Sequence, residues 1–215
     1  MTKQTAKGTE SRQKLLNAAM KLFAQNGFQG TTMRAIAEES GLSLGNSYYY
    51  FESKEQLVGE LFRLLQDRQR ALAWPRLQEG NNLETNVRLT LEATLEVLAP
   101  YRDFGPAFIR AAFAGGDPAS GNVNKAKEFG LWRQAVATCR PQPPLAIRQD
   151  LPQLLWLIQR GIILFWAYDG TEDARRTLRL IGNAAPVIAR LAVLSRLPVV
   201  RTILDDIISL VRSSS

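Results

Sequence analysis

Residues 43–51 read Ser-Leu-Gly-Asn-Ser-Tyr-Tyr-Tyr-Phe, with Lys54 just beyond. Hydroxyls, one amide, phenols and an ammonium are crowded into a dozen positions. None of them forms a nucleophile–base pair. Their shared chemistry is hydrogen-bond donation to anionic oxygens, and phenol, hydroxyl and ammonium donors suit phosphate well. Four consecutive aromatics, Tyr48, Tyr49, Tyr50 and Phe51, cannot all be buried by one helix, because neighbouring side chains point round its circumference. Some of these rings must face outward.

The chain of 215 residues contains no histidine. That excludes His-based acid–base catalysis, Ser-His-Asp triads and most zinc sites. It has no GxxxxGK[ST] or GxGxxG phosphate loop, and no Asp/Glu pair stands out from solvated helix faces. The expectation is a protein that is not an enzyme and needs neither metal nor cofactor. The single cysteine, Cys139, excludes an internal disulfide and suits a reducing cytoplasm, where it serves as a small buried apolar side chain. The start, MTKQTAKGTESRQK, lacks the apolar core of a signal peptide. The formal net charge is +7, but residues 1–55 hold seven Lys/Arg against five acids, so the basic excess is spread along the chain. It favours an anionic partner without locating it.

These donors must be positioned by helices. No segment alternates apolar and polar residues with β-branched enrichment, so the pattern predicts an all-α protein of about ten helices. The first is expected over Ser11–Asn26, with Leu15, Ala18, Ala19, Leu22 and Phe23 on one face and Gly27 as its stop. A second runs over Thr32–Ser40, with Thr32 as cap. Gly41-Leu42-Ser43 then turns the chain, and Ser43 caps a third helix. Ser53-Lys54-Glu55-Gln56 reads as a capping box opening a fourth. Leu83, Val87, Leu91, Leu95 and Leu98 mark a further helix, and Phe129, Trp132, Val136 and Cys139 another. Pro141-Gln142-Pro143-Pro144 is the strongest linker. Two long helices, about 150–169 and 172–196, are broken at Asp169-Gly170, with a kink expected at Pro186.

Two short helices joined by a Gly-containing turn form a helix-turn-helix, whose second helix can enter a DNA major groove. On the third helix, Leu44, Ser47, Tyr48 and Phe51 are expected to pack inward. Gly45, Asn46, Tyr49 and Tyr50 are then left on the free face, where phenol groups can grip phosphates.

The run AAMKLFAQNGFQGTTMRAIAEESGLSLGNSYYYFESKEQL within residues 12–58 resembles the N-terminal DNA-binding domain of the TetR family of transcriptional regulators. The second half is similar to the family in layout: a long helix ending in WAYDG, then one containing RRTLRLI. The resemblance implies a DNA-binding domain over 1–55 and a helical regulatory and dimerisation domain over 56–215. It also implies a homodimer on a near-palindromic double-stranded operator, acting most often as a repressor and released by a small ligand. Carried over, Arg34 reaches a base edge or phosphate and Thr32 holds a phosphate. Ser43, Leu44, Gly45 and Asn46 form the reading end of the recognition helix, and Tyr48, Tyr49 and Lys54 grip phosphates. Tyr50 stands where many members carry histidine. Leu44 stands where many carry lysine or a similar polar residue, so the recognition helix has no charge.

For the regulatory half, Phe104, Phe108, Phe129, Trp132 and Trp156 are candidate walls of an apolar or aromatic ligand pocket, with Arg110 and Gln159 as polar anchors. The ligand itself is not identified by any of them. Residues 151–168 are apolar nearly all round. Gln159 and Arg160 at their centre argue against a membrane span, and the stretch is short for one. Residues 150–196 are therefore expected to form the core of a dimer. Two other readings fit the same residues: a ligand-independent DNA-binding activator, and a helical small-molecule-binding protein that no longer uses DNA.

Overall fold

The structure is a computed structural model and describes residues 2–104, 121–195, 202, 206 and 209. All regular structure among these residues is helical. The α-helices are α1 (Thr2–Gly30), α2 (Met33–Ser40), α3 (Leu44–Tyr50), α4 (Lys54–Ala73), α5 (Leu83–Leu98), α6 (Gly121–Thr138), α7 (Leu145–Arg148), α8 (Leu151–Ala167) and α9 (Arg175–Leu194). Short 3-10 turns occupy Trp74–Arg76, Ala99–Phe104 and Glu172–Ala174.

The chain divides into two compact units. The first takes Met1–Asp67 and Leu98–Ser120, the second Arg68–Val97 and Gly121–Ser215. Leu57, Val58 and Leu61 of α4 are fully buried.

The core of the first unit follows the periodicity. Leu15, Ala18, Ala19, Leu22 and Phe23 of α1 are all buried, with Met33, Ile36 and Ala37 of α2 and with Phe51. The helix begins earlier than expected, at Thr2 rather than Ser11. The expected stop is real: Gly27 leaves helical geometry at φ 69°, ψ 171°, and only one further turn follows. A left-handed φ strains any residue with a Cβ, so glycine is the natural occupant. Behind this break the Thr31 hydroxyl donates to the carbonyls of Gly27 at 2.8 Å and Leu22 at 3.2 Å, closing the end of α1.

In the second unit the buried faces of α5, α6 and α8 meet in a core that includes Val87, Leu91, Trp132, Val136, Leu155 and Trp166. Cys139 is buried as expected; burial raises its thiol pKa, and its Sγ donates to Val136 O at 3.3 Å. The Pro-rich stretch joins elements inside this unit. It is tied down by Arg140 N–H on Asn81 O at 2.7 Å and by the Arg148 guanidinium on Pro143 O at 2.7 Å. Pro186 sits inside α9 without ending it.

The break at Asp169-Gly170 is held by one carboxylate. Asp169 accepts from the backbone N–H groups of Thr171 (3.0 Å) and Thr177 (2.8 Å) and from their hydroxyls at 2.6 and 2.7 Å. Burial works to raise this carboxyl's pKa, but the Thr171 and Thr177 bonds outweigh it and hold it well below the usual range. The anchor spans two non-glycine residues in left-handed conformation, Asp173 (φ 51°) and Ala174 (φ 53°).

Candidate nucleic-acid interface

The α2–α3 turn is built from two caps and one glycine. Thr32 Oγ1 accepts from Ala35 N–H at 3.1 Å and opens α2. Gly41, at φ 71°, closes it: its N–H bonds Glu38 O at 3.1 Å, and the next N–H, of Leu42, bonds Ala37 O at 3.0 Å. This paired pattern is a Schellman motif, which needs a left-handed residue at that place. Ser43 then caps α3, its hydroxyl accepting from Asn46 N–H at 3.2 Å. The chain thus passes from α2 to α3 through three residues, Gly41 to Ser43.

On α3, Ser47 and the capping Phe51 are fully buried, and the Ser47 hydroxyl donates to Ser43 O at 3.1 Å. Leu44 and Tyr48 depart from the inward packing that helical period predicts: both are outward, at 41% and 49% exposure. A seven-residue helix over a small core buries only a narrow stripe, which Ser47 and Phe51 fill. Tyr49 is 82% exposed. Tyr50, expected on the free face, is half-buried, with its ring edge-on to Tyr49 at 5.1 Å. A Cβ added at Gly8 would lie 3.8 Å from the Tyr50 hydroxyl, so this ring leans back towards α1. Leu44, Gly45, Asn46, Tyr48 and Tyr49 therefore form one solvent-facing surface. A Cβ at Gly45 would meet nothing within 4 Å, so its own fold does not require a glycine there.

Arg34 and Glu38 occupy the exposed side of α2, and Arg34 Nε donates to Glu38 Oε1 at 3.2 Å. Lys54 is turned inward. Its ammonium donates to Phe28 O at 2.8 Å and Thr31 O at 2.7 Å and lies 4.4 Å from the Phe28 ring centroid. An ammonium has three donors, and these two carbonyls take two of them. Beside it, the α4 cap is formed as expected. Ser53 Oγ accepts from Gln56 N–H at 3.2 Å, and Gln56 Oε1 reaches back to Glu52 N–H at 2.7 Å.

A family model described as "Bacterial regulatory proteins, tetR family" matches residues 15–61, and "Tetracyclin repressor-like, C-terminal domain" matches residues 87–210. The chain belongs to the TetR family. As a TetR-family protein it is a DNA-binding transcription regulator rather than an enzyme. Among curated relatives, the HTH-type transcriptional regulator UidR of Escherichia coli is 43% identical over 63 residues, covering 29% of this chain and 31% of that protein. The HTH-type transcriptional repressor KstR2 of Rhodococcus jostii is 44% identical over 52 residues, covering 24% and 26%. The chain thus spans about a third or less of the length of these relatives. Two solved structures share the fold. A TetR transcriptional regulator from Nitrosomonas europaea has a TM-score of 0.58 at 15% identity, over 83% of this chain and 97% of its own. The TetR family repressor AlkX from Dietzia has a TM-score of 0.57 at 15% identity, over 83% and 95%.

The expected pocket residues of the TetR-family regulator are placed in part. Phe108, Arg110 and the Phe104 side chain lie outside the described residues. Phe129 and Trp156 meet edge-on at 5.4 Å, and the Arg160 guanidinium sits 4.8 Å over the Trp156 ring. Trp132 is fully buried, and its indole N–H donates to Gln159 Oε1 at 2.7 Å. Gln159 Nε2 donates to Gln69 Oε1 and Thr94 Oγ1, both at 3.1 Å. Gln69 Nε2 bonds Thr94 Oγ1 at 2.8 Å and Thr90 O at 3.2 Å. The Thr94 hydroxyl returns to Thr90 O at 3.0 Å, so every side-chain donor of this cluster is spent. Gln69 and Thr94 went unnoticed in the sequence, where they read as ordinary helix residues. No group of three His, Cys, Asp or Glu among the described residues could hold a metal ion.

The outward face of α8 is apolar, and α9 carries an exposed apolar stripe beside the exposed Arg175, Arg176, Arg179 and Arg190. Leu157, Leu164 and Tyr168 recur at seven- and four-residue steps with Gly161 between them, and all are exposed. On α9, Leu180, Val187, Leu191 and Leu194 form a second exposed stripe. Glu172–Leu194 is, by length and composition, the one helical stretch among the described residues able to cross a membrane. Its buried face carries Thr177, Ile181, Ala185 and Ala192.

Proposed function

We propose that this TetR-family regulator is a cytoplasmic repressor that reads a near-palindromic operator as a homodimer and leaves it when a small apolar or aromatic molecule binds the regulatory half. The observation that carries the reading is the outward surface of α3. Leu44, Tyr48 and Tyr49 expose large side chains that a free helix would bury, and Gly45 is a glycine its own fold does not need. DNA supplies the missing partner. Gly45 admits the backbone close to the duplex, Tyr48 and Tyr49 hydrogen-bond phosphates, and Tyr50 braces Tyr49. Thr32 and Ser43 hold phosphates at the helix starts, with the remaining Lys54 donor beside them. Arg34 and Asn46 read base edges, and Leu44 meets a thymine methyl.

Residues 1–55 do the reading and 56–215 regulate. The apolar stripes of α8 and α9 support dimerisation through about 150–196, since two such faces bury each other without any further partner. A two-fold pair of recognition helices then meets half-sites about one DNA turn, roughly 34–36 Å, apart. In this reading the effector binds beside Phe129, Trp132, Trp156 and Gln159. The aromatic rings there favour an apolar or aromatic molecule.

The test is fluorescence anisotropy of the full chain against the duplex immediately upstream of its own gene, with random duplex as competitor, at two salt concentrations. Tight, salt-sensitive binding that survives competitor is expected. Binding no tighter than to random duplex there, and no enriched sequence after selection from a random pool, would reject the reading.

A further inference from the structure

Arg34 and Glu38 lie one turn apart on α2, opposite its buried Met33, Ile36 and Ala37, with side chains 80% and 69% exposed. The bond between them uses one particular donor. Nε of Arg34, not a terminal nitrogen, donates to Glu38 Oε1 at 3.2 Å. The two terminal nitrogens carry the rest of the guanidinium's five donors and have no partner among the described residues. A guanidinium held by Nε presents its end as a two-nitrogen fork, which matches O6 and N7 of a guanine in the major groove.

The carboxylate has a cost that needs an explanation. Every phosphate repels it, and residues 1–55 carry a net charge of only +2, with no charge on the recognition helix. The neighbouring Glu39 has its own cation, with Lys21 Nζ at 2.6 Å. Glu38 faces the proposed DNA side with Arg34 alone. A charge that weakens binding to all DNA but aims the one base-reading arginine raises selectivity by acting against wrong sites.

We propose that Glu38 is a positioning residue for operator reading: it holds Arg34 by Nε so that the terminal nitrogens engage a guanine, and it penalises DNA that lacks that guanine. This rests on the reading of Arg34 as a base contact, and the experiment separates the two. The full-length protein is first used to select its preferred site from a random 30-base-pair pool. Affinities for that site and for a random duplex are then measured for wild type, Glu38→Gln, Glu38→Asp, Arg34→Ala and the Arg34→Ala/Glu38→Gln pair.

Glu38→Gln is expected to tighten random-duplex binding about threefold or more while leaving the selected site within about twofold, so the specificity ratio falls. Glu38→Asp keeps the charge and loses the reach. It should leave random-duplex binding unchanged and weaken the selected site about threefold or more. In the Arg34→Ala background, Glu38→Gln should tighten both duplexes equally. Equal tightening in the Arg34 background of the wild type, with Glu38→Asp silent, would overturn the positioning role and leave Glu38 a mere repulsive charge. If Arg34→Ala itself leaves the specificity ratio intact, or selection enriches no sequence, the base-reading role of Arg34 falls and the proposal falls with it. All these side chains are exposed, so thermal melts of the variants should match wild type.

Discussion

The indole N–H of Trp132 donates to Gln159 Oε1 at 2.7 Å in the interior of the second unit. Both residues stood out in the sequence as separate features of a possible pocket. In the structure they are one end of a closed network that continues to Gln69 and Thr94. Gln159→Leu strands a buried indole donor and removes the partner of Gln69. It should cost roughly 1–3 kcal/mol in urea unfolding. Adding Trp132→Phe removes the stranded donor, so the pair should be less destabilised than the two single losses added together. Strict additivity would show that the two side chains do not act as a unit.

Gly45→Ala separates folding from reading. With open space around the position, alanine should stabilise α3 by about 0.5–1 kcal/mol through helix propensity and unfolded-state entropy. Operator affinity should nevertheless fall, because the methyl stands between backbone and duplex. Thermal melts and anisotropy on the same sample check both signs. A stabilised variant with unchanged affinity would mean that DNA does not approach there.

Lys54 and Tyr49 make opposite predictions. Lys54 spends two donors on Phe28 and Thr31 carbonyls. Lys54→Met should therefore cost roughly 1–3 kcal/mol of stability. If the remaining donor holds a phosphate, the salt dependence of operator binding also drops by about one unit of slope. Tyr49→Phe should leave melting unchanged at 82% exposure. Its operator affinity should weaken by about 0.5–1.5 kcal/mol, the worth of one hydrogen bond.

Asp169 gives stability a pH signature. Its folded pKa lies below the unfolded one, so the native state binds fewer protons and stability rises with pH. The contribution is complete above the ordinary carboxylate pKa near about 4 and is lost as pH falls towards the folded value. Asp169→Asn should cost roughly 1.5–3 kcal/mol at neutral pH. Melts in acid should show the variant losing less stability on acidification than wild type. Parallel acid profiles would remove Asp169 as the source.

Leu164→Asp and Leu191→Asp place charges on the exposed apolar stripes of α8 and α9 without touching the buried faces. Light scattering should show a dimer for wild type and a shift to monomer for each variant, with helicity retained. A wild-type monomer, or variants that remain dimeric, would move the interface elsewhere.

Much of this protein was legible in one dimension, because the rules involved are local. Gly27 and Gly41 mark positions that need left-handed backbone, and both carry it. Thr32, Ser43 and Ser53 are caps that act within four residues, and each bonds the N–H expected of it. The buried face of α1 followed from helical period alone. The absence of histidine needed no structure at all.

What required the tertiary structure was everything decided by how much core lies beneath a helix and by which distant residues meet. Leu44 and Tyr48 fit an inward stripe by period, but the core under α3 has room only for Ser47 and Phe51. Lys54 looked like a free cation until the end of α1 brought two carbonyl oxygens to it. Gln69 and Gln159 are 90 positions apart, and no local pattern announces that their amides will share one network. Periodicity tells which side of a helix is apolar; only packing tells how wide the buried stripe is and which polar groups it must satisfy.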